Sequence, residues 1–467
     1  MEGPADLSPF APALRPEFAA DLAGMAEATH YHLDLHILPE QETFRISGRE
    51  VVRYTNQEGV SLDRLYFFLY PNFPGCRGWV NVEAVLQGKR SLVQAYETQR
   101  AVLRLPLDPP LQPGERVTLD LSFEAMVPPG DDCRYGDFGY HDGVLALAHL
   151  YPQVAVYDER GWNTELPPNY GDLLYADTAL YSVTATLPAG WVAAASGTQI
   201  TREPRDDNTV RMHWVAGPAR DFTMVLSQDY LTVTQEVGGI RVTSYYHSAH
   251  EAGGTRALEY AVRALHVFQE RFGPYRYREF DLVETPTRAG GIEYPGLIVL
   301  NTWFYDQEDG GFETVTAHEV AHQWWYSLLG NDQVDEPWLD EGLASYSAVL
   351  YYQETEQEEA GEELLEFYRS NYQAAVDQGK DAPTNLPVAA YSPENYSRIV
   401  YSKGALFFDA LRQEVGEEAF WRILQAYYQR FLYGTATGEG FLALAEEVSG
   451  QELDALYQAW VLGVVQK

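Results

Sequence analysis

One short stretch, around residue 318, constrains the fold of this chain more than any other. His318 and His322 stand four residues apart, and Glu319 directly follows the first of them. Apolar residues around the pair, and Gly330 as a C-terminal stop signal, predict one buried helix across this stretch. Side chains four residues apart lie on one face of a helix, so both imidazoles can bind a single metal ion. The pattern His-Glu-x-x-His is typical of metalloproteases, in which the glutamate reaches the attacking water.

Two histidines on one helix can also form a satisfied pair in a protein core, so a third ligand decides between the two interpretations. The chain has 11 histidines, and none follows His322. Trp325 stands where the metzincin pattern requires glycine, which excludes that class of zinc site. A carboxylate must therefore complete any metal site formed by this helix.

Glu341 offers that carboxylate. Asp335 as a cap and Pro337 in a first turn predict the start of a second helix, which apolar residues at helical spacing continue past Glu341. Two histidines and one glutamate leave a fourth position for water, which is the ligand set of a catalytic rather than a structural zinc site. The sequence thus predicts one Zn²⁺ per chain, bound by His318, His322 and Glu341.

Three motifs, in order along the chain, resemble those of the gluzincin aminopeptidases, the family of aminopeptidase N and leukotriene hydrolase. The central one is His318-Glu-x-x-His322, then eighteen residues, then Glu341. An upstream segment resembles the family's exopeptidase motif: Gly290-Gly291-Ile292-Glu293-Tyr294, with Tyr294 in place of the family's asparagine. Downstream, the segment that carries the family's catalytic tyrosine is resembled by Tyr401-Ser402-Lys403-Gly404-Ala405. The resemblance covers most of the chain, from about residue 29 to the end.

The catalytic groups follow from side-chain chemistry and from the resemblance. Glu319 can take the proton of the attacking water and pass it to the leaving amine, as a general base does; an ordinary solvated glutamate is the alternative. Hydrolysis develops an oxyanion that needs a hydrogen-bond donor, and no histidine lies downstream to supply it. The resemblance implies that Tyr401 does so, with Tyr396 as the alternative tyrosine.

The upstream motif bears on the kind of peptidase. The resemblance implies that Glu293 binds the α-amino group of a peptide, next to Gly290 and Gly291, where a peptide backbone can approach closely. A glycine-rich turn with an exposed glutamate is the alternative for this segment. We therefore expect a zinc-dependent aminopeptidase acting on peptides with a free N-terminus. The alternatives are a thermolysin-type endopeptidase, which Glu293 and the missing downstream histidine disfavour, and an inactive family scaffold that serves as a binding module.

Hydrophobic periodicity predicts an α+β chain of two domains behind a lead-in. Residues 1–28 are polar and rich in Ala and Pro; over residues 29–237 apolar and polar residues alternate, which predicts an antiparallel β domain. Residues 238–467 open with a strand and are then mainly helical. The resemblance implies a saddle-like β-sandwich for the first domain and a thermolysin-like catalytic domain for the second. It also implies a minimal form that lacks the family's C-terminal helical domain.

Composition narrows the partners and the compartment. The formal charge is −36, from 68 acidic and 32 basic residues, which disfavours nucleic acid and anionic membranes as partners. No stretch is long and apolar enough to span a bilayer, and residues 1–28 lack the basic start and apolar core of a signal peptide. The sequence leaves two alternatives for the compartment: the protein is cytoplasmic, or it is exported and its signal peptide is absent from this sequence. Cys76 and Cys133 either pair as a disulfide or stay as two free thiols.

Overall fold

The computed structural model describes residues 6–307 and 311–463. Grouped by proximity, the residues form two compact units. The first consists of Met1–Leu166, Ala176–Leu258 and Arg276–Gln307, and the second of Pro167–Tyr175, Glu259–Tyr275 and Glu308–Lys467. The sequence predicted a single boundary before residue 238, whereas each of these units combines several segments of the chain, so the predicted boundary stays a prediction. Residues 1–5 of the predicted lead-in and 464–467 of the predicted second domain lie outside the described residues.

The strands all belong to the first unit. In chain order they are β1 (Thr29–Glu40), β2 (Thr43–Thr55), β3 (Leu62–Phe68), β4 (Trp79–Gln87), β5 (Arg90–Ser91), β6 (Ala95–Glu97), β7 (Val102–Leu111), β8 (Arg116–Val127), β9 (Phe138–His141), β10 (Val144–Leu147), β11 (Gln153–Val154), β12 (Tyr157–Asp158), β13 (Gly161–Trp162), β14 (Ala179–Pro188), β15 (Val192–Ala195), β16 (Thr198–Pro204), β17 (Thr209–Ala219), β18 (Met224–Ser227), β19 (Tyr230–Val237), β20 (Ile240–His247), β21 (Glu279–Thr285), β22 (Gly291–Tyr294) and β23 (Leu297–Asn301).

The largest sheet has eight strands in the order β16-β17-β14-β1-β2-β8-β4-β5. Its neighbours are antiparallel, as predicted, except that β1 and β14 run parallel. The alternation that predicts these strands also sets their buried face. In β8 the inward residues Val117, Leu119, Leu121 and Phe123 are buried, while the residues between them are partly exposed. This face forms the core of the unit.

Smaller sheets complete the first unit. Two have four strands, β15-β18-β10-β9 and β11-β3-β7-β6, and β12 pairs with β13 alone. A five-stranded sheet has the order β19-β20-β21-β23-β22, with parallel pairs β20–β21 and β21–β23. Strand β22 therefore lies at one edge of this sheet. Cys76 and Cys133 form a disulfide in this unit, which decides between the two alternatives that the sequence left open.

Helices dominate the second unit. They are α1 (Glu251–Arg271), which enters this unit from residue 259 onward, α2 (Gly311–Ala321), α3 (Trp338–Glu354), α4 (Glu358–Asp377), α5 (Pro393–Tyr396), α6 (Gly404–Val415), α7 (Glu417–Phe431), α8 (Gly438–Ser449) and α9 (Asp454–Tyr457), with π-helical segments at Ser397–Lys403 and Gln458–Leu462. None of the helices in the described ranges combines the length and apolarity needed to cross a membrane. The predicted α+β class, with strands followed by helices, is confirmed.

Candidate metal centre and active site

The helix that carries the histidine pair is shorter than predicted. Helix α2 ends at Ala321, so the predicted continuation toward Gly330 is wrong. His322 lies one residue beyond the helix, yet its backbone N–H still donates to the carbonyl of His318 at 3.4 Å. The two imidazoles therefore remain on one side, with ring centroids 4.8 Å apart.

Tertiary packing explains why the helix ends there. After Ala321 the backbone forms wider turns, in which Ser327 N–H donates to the carbonyl of His322 at 3.0 Å. These turns bury Trp324 and Trp325 among the aromatic rings of this unit; the rings of Trp325 and Phe272 lie 4.8 Å apart. Apolar residues alone predicted a longer helix, whereas in the structure the backbone leaves the helical path and both rings are buried.

The same turn fixes the orientation of His322. The Nδ1 atom of His322 lies 3.0 Å from the backbone oxygen of Trp325. Because a carbonyl can only accept, Nδ1 carries the proton and Nε2 carries the lone pair. A carbonyl bonded to the second ring nitrogen is the usual way in which proteins orient a metal-binding histidine. The structure therefore presents His322 in the tautomer that a metal ion requires.

Helix α3 supplies the carboxylate, as predicted, although its start differs. The residue at the cap position before the helix is Pro337, whose own side chain makes no capping hydrogen bond. The prediction placed the cap at Asp335, whereas the structure places the cap position at Pro337. Before it, Asp332 Oδ1 accepts from the N–H groups of Val334 and Asp335, each at 3.0 Å. A turn built by Asp332 thus leads into the helix, and Glu341 lies in the first turn of α3.

Three predicted ligands converge. Glu341 Oε2 lies 3.1 Å from His318 Nε2 and 3.4 Å from His322 Nε2. The two Nε2 atoms are 3.2 Å apart. One ligand atom from each residue thus lies within 4.8 Å of the others. Two imidazole nitrogens and one carboxylate oxygen are the donors that a catalytic zinc site uses, so the residues fit this metal.

The protonation states also suit a cation. Burial lowers the pKa of His318, which keeps its imidazole neutral, although the hydrogen bond to Glu341 acts in the opposite direction. Burial alone would raise the pKa of Glu341, but its hydrogen bonds and charge interactions with His318 and His322 outweigh burial and lower it. Neutral imidazoles and an ionised carboxylate are the forms in which these side chains bind metal.

A pair of glycines brings the downstream motif to this centre. A Cβ on Gly342, next to Glu341, would lie 2.9 Å from the Cα of Gly404. Helices α3 and α6 therefore meet at a contact that leaves no room for a side chain on either. This contact explains why glycine follows both Glu341 and Lys403 in the motifs.

Tyr401 lies in the π-helical segment just before α6. Its hydroxyl donates to Glu341 Oε1 at 2.5 Å, and its ring stacks on that of His318 at 5.9 Å. Burial, and then the charge of Glu341, raises the pKa of Tyr401 far above its ordinary value, so the phenol keeps its proton. Tyr396, the alternative tyrosine, donates instead to Asp172 Oδ2 at 3.1 Å.

The lysine of the same motif, Lys403, makes buried hydrogen bonds that join neighbouring segments of the chain. Lys403 is fully buried, and its Nζ bonds to Asp381 Oδ1 at 2.9 Å and to the carbonyls of Ala382 and Gly463 at 2.8 and 3.0 Å. A buried ammonium with three acceptors joins three chain segments beside the π-helical turn.

The structure brings together five of the predicted site residues, His318, Glu319, His322, Glu341 and Tyr401. Glu319 is buried in α2, directly after His318, with 5% of its surface exposed. The remaining three belong to the first unit: Gly290, whose carbonyl accepts from Asn301 N–H at 2.9 Å, and Gly291 and Glu293 on β22. Glu293 stands opposite Ile298 and is 8% exposed, and is thus not an exposed turn residue.

Sequence reasoning missed three features of the centre. These are the carbonyl of Trp325, the packing role of Gly342 and the contact of Asp172 with Tyr396. A carbonyl leaves no signal in a sequence. Gly171 marks a turn next to Asp172, but nothing in the sequence links this turn to residue 396, more than two hundred positions later.

Known families and proteins resemble this chain. Residues 256–460 match the Peptidase family M1 domain, and this range contains all three motifs. Aminopeptidase M1-A of Oryza sativa subsp. japonica is 30% identical over 235 residues, which are 48% of this chain and 27% of that protein. Aminopeptidase N of Streptomyces lividans is 26% identical over 361 residues, 71% of this chain and 40% of that protein. The chain thus spans less than half the length of these relatives.

A solved structure extends the likeness to the whole fold. It is that of an M1 zinc metallopeptidase mutant from Deinococcus radiodurans bound to a Tyr-Ser-Ala substrate. The TM-score is 0.71 at 24% identity, over 93% of this chain and 94% of that one. The matched domain, the three motifs and this common fold agree: residues 256–460 form a domain of peptidase family M1, the family of the gluzincin aminopeptidases.

Proposed function

We propose that this protein is a zinc-dependent aminopeptidase that removes N-terminal residues from peptides. The observation that carries the proposal is the convergence of His318, His322 and Glu341, with one ligand atom of each within 4.8 Å of the others, inside a peptidase family M1 domain. The two relatives named above are aminopeptidases, and the structural neighbour is a zinc metallopeptidase bound to a tripeptide.

His318, His322 and Glu341 would hold the zinc ion. Bound zinc supplies Lewis acidity, which makes a water molecule acidic enough to ionise near pH 7 and polarises the scissile carbonyl. The protein's own part is to keep the His318 imidazole neutral by burial, and the Glu341 carboxylate ionised by its contacts with the two histidines. The carbonyl of Trp325 adds to this by orienting His322.

Glu319 is the proposed general base. Glu319 directly follows the proposed metal ligand His318 in helix α2. Adjacent residues of a helix point about 100° apart, so the two side chains lie on different faces. A carboxylate in this place takes a proton from the attacking water and passes it to the leaving amine.

Tyr401 is the proposed donor to the developing oxyanion. Its phenol keeps its proton, so it is available as a hydrogen-bond donor. In the structure the hydroxyl bonds to Glu341, which places it beside the ligand set. The hydroxyl has a single proton, so it would turn from Glu341 to the substrate oxygen as charge develops there.

Glu293, with Gly290 and Gly291, is proposed to bind the start of the substrate. Strand β22 lies at the edge of its sheet, and an edge strand offers backbone groups to which an extended peptide can bond. The Glu293 carboxylate would bind the substrate's ammonium group by a charge-assisted hydrogen bond. Tyr294, which replaces the family's asparagine, is buried and packs its ring 6.1 Å from that of His149.

The deciding experiment is mass spectrometry of one peptide in free and N-acetylated forms after digestion. Stepwise shortening of the free peptide, with the acetylated form resistant, is the expected result. Internal cleavage of both forms at similar rates would overturn the proposal in favour of an endopeptidase.

Glu293→Gln should weaken the binding of peptides with a free N-terminus by about 10- to 150-fold, the range of a charge-assisted hydrogen bond, and should leave zinc in place. Glu236→Gln, an exposed glutamate on β19 at the opposite edge of the sheet, is the matched control.

A further inference from the structure

A segment from the strand-rich half of the sequence belongs to the helical unit. Pro167–Tyr175 lies between β13 and β14 in the chain, yet its residues group with the second unit. Tyr170 anchors it there, because its hydroxyl donates to the carbonyl of Tyr391 at 2.5 Å. The segment is thus part of the unit that carries the metal ligands.

Gly171 makes the close approach of this segment possible. Its φ is +70°, in the left-handed region that favours glycine. A Cβ at this position would lie 2.7 Å from Val388 Cγ1 and 2.9 Å from Tyr396 Cζ. Both the backbone conformation and the lack of space require glycine, and the result is that the next residue, Asp172, faces Tyr396.

Asp172 holds the hydroxyl of Tyr396. The phenol donates to Asp172 Oδ2 at 3.1 Å, and Tyr396 is only 4% exposed. A hydrogen bond from a buried phenol to a carboxylate is charge-assisted, and it fixes the rotation of the phenol about its side-chain bonds. The position of the Tyr396 ring therefore depends on Asp172.

The Tyr396 ring in turn packs against the proposed oxyanion donor. The rings of Tyr396 and Tyr401 meet edge to face, with centroids 5.8 Å apart. The ring of His318 stacks on Tyr401 at 5.9 Å. Tyr401 stands on a π-helical turn, which is a rare backbone form that depends on its surroundings. Its ring is thus held by two neighbours, of which one is a metal ligand and the other is bonded to Asp172.

We propose that Asp172 is a positioning residue: through Tyr396 it fixes the ring of Tyr401, and so the place of the Tyr401 hydroxyl beside the zinc ligands. This inference rests on the proposed function, in which Tyr401 stabilises the oxyanion. It assigns to a segment far upstream in the sequence a part in forming the catalytic centre.

The test compares four variants in the zinc-loaded protein. Asp172→Ala and Tyr396→Phe each remove the bond between the two side chains. Asp172→Asn keeps an oxygen that can accept from the phenol but removes the charge. A fourth variant, Asp172→Ala/Tyr396→Phe, measures coupling. Tyr346→Phe is the matched control, because it removes another buried phenol's bond to an aspartate of this unit, 3.3 Å from Asp409.

Asp172→Ala and Tyr396→Phe should each lower kcat by about tenfold or more, up to the roughly 10²-fold that a misplaced catalytic group can cost. KM should change little, and the zinc content should stay at one per chain. The double variant should be no slower than the slower single variant, since both act through one contact. Asp172→Asn should recover most of the rate. The control should stay within about twofold of the native protein, as expected for a substitution outside such a contact.

Several outcomes would overturn the inference. One is a kcat of Asp172→Ala equal to the kcat of the control Tyr346→Phe. Another is an effect confined to KM, with Asp172→Asn as impaired as Asp172→Ala; Asp172 would then act by its charge on the substrate. If the native protein cleaves only internal bonds, the aminopeptidase proposal fails, but the same rate comparison applies to that cleavage. If it cleaves no peptide, the crystal structure of Asp172→Ala decides: an unmoved Tyr401 ring refutes the inference, and a displaced ring supports it.

Discussion

Two buried glutamates, Glu50 in the first unit and Glu341 in the second, have pKa values shifted in opposite directions. They are 0% and 2% exposed. Glu50 has an inward place in β2, opposite Leu33 of β1 and Leu121 of β8. In the part of the chain that the structure describes, neither of its oxygens has a hydrogen-bond partner. Burial therefore raises the pKa of Glu50 well above its ordinary value, and the carboxyl keeps its proton.

Burial acts on Glu341 in the same direction, but two imidazoles converge on it. Their hydrogen bonds and charges lower its pKa below the ordinary value. The difference teaches that a buried acid is not by itself a functional site. Burial sets the cost of ionisation, and the partners that surround the acid decide whether it is ionised and able to bind a cation.

The strongest test of this comparison removes the converging ligands. Glu341→Ala should lose stoichiometric zinc on dialysis, and hydrolysis with it, because two imidazoles alone make an incomplete site. His318→Ala and His322→Ala should do the same. Glu50→Gln, which alters an equally buried glutamate, should keep one zinc per chain. Metal analysis of the dialysed proteins checks both, and full zinc in Glu341→Ala would remove this residue from the ligand set.

Glu319→Gln separates the base from the ligands. Zinc should stay, because Glu319 is not in the ligand set, while turnover should fall by about 10²- to 10⁴-fold, the usual contribution of a general base. Parallel measurements of zinc content and kcat test this. A loss below roughly tenfold with zinc bound, outside that range, would contradict the assigned role.

Tyr401→Phe removes one hydroxyl and little volume. If the phenol stabilises the oxyanion, kcat should fall by about 10²- to 10³-fold with little change in KM. Steady-state kinetics with a chromogenic aminoacyl amide measure this. A change in KM alone would mean that Tyr401 only positions the substrate.

The smallest effect should come from Glu50→Gln, and it concerns stability rather than rate. The folded state holds the Glu50 proton above the ordinary pKa of 4.5, whereas the unfolded chain releases it there. The folded state thus binds more protons, and this group's contribution to stability is present below pH 4.5 and is lost as pH rises toward the folded pKa. The loss is about 1.4 kcal/mol per pH unit within that window.

The glutamine of Glu50→Gln cannot ionise. The free energy of unfolding of the variant should therefore rise relative to that of the native protein as pH rises from 5 to 8. Denaturant unfolding at several pH values measures the difference in free energy of unfolding. Two parallel stability profiles would show that Glu50 is not held in its protonated form, and the comparison with Glu341 would fail.

Much of the centre could be predicted from the sequence because it depends on spacing along one helix. A spacing of four residues from His318 to His322 places both rings on one side, and this holds even though α2 ends one residue before His322. The absence of any later histidine left a carboxylate as the predicted third ligand, and the structure places Glu341 beside both histidines. The end of α2 was not predictable in this way, since it depends on where Trp324 and Trp325 find room.

The sequence by itself determined the α+β class, the ligand types and the order of the motifs, because periodicity and spacing are local properties of a chain. Only the tertiary structure decided which groups meet across long distances in sequence. It places Gly342 against Gly404, bonds the Tyr401 hydroxyl to Glu341, and brings Asp172 to Tyr396. It also gives Glu50 and Glu341 opposite protonation states. The physical reason is that packing and ionisation depend on neighbours in space, and those neighbours are set only when the whole unit has folded.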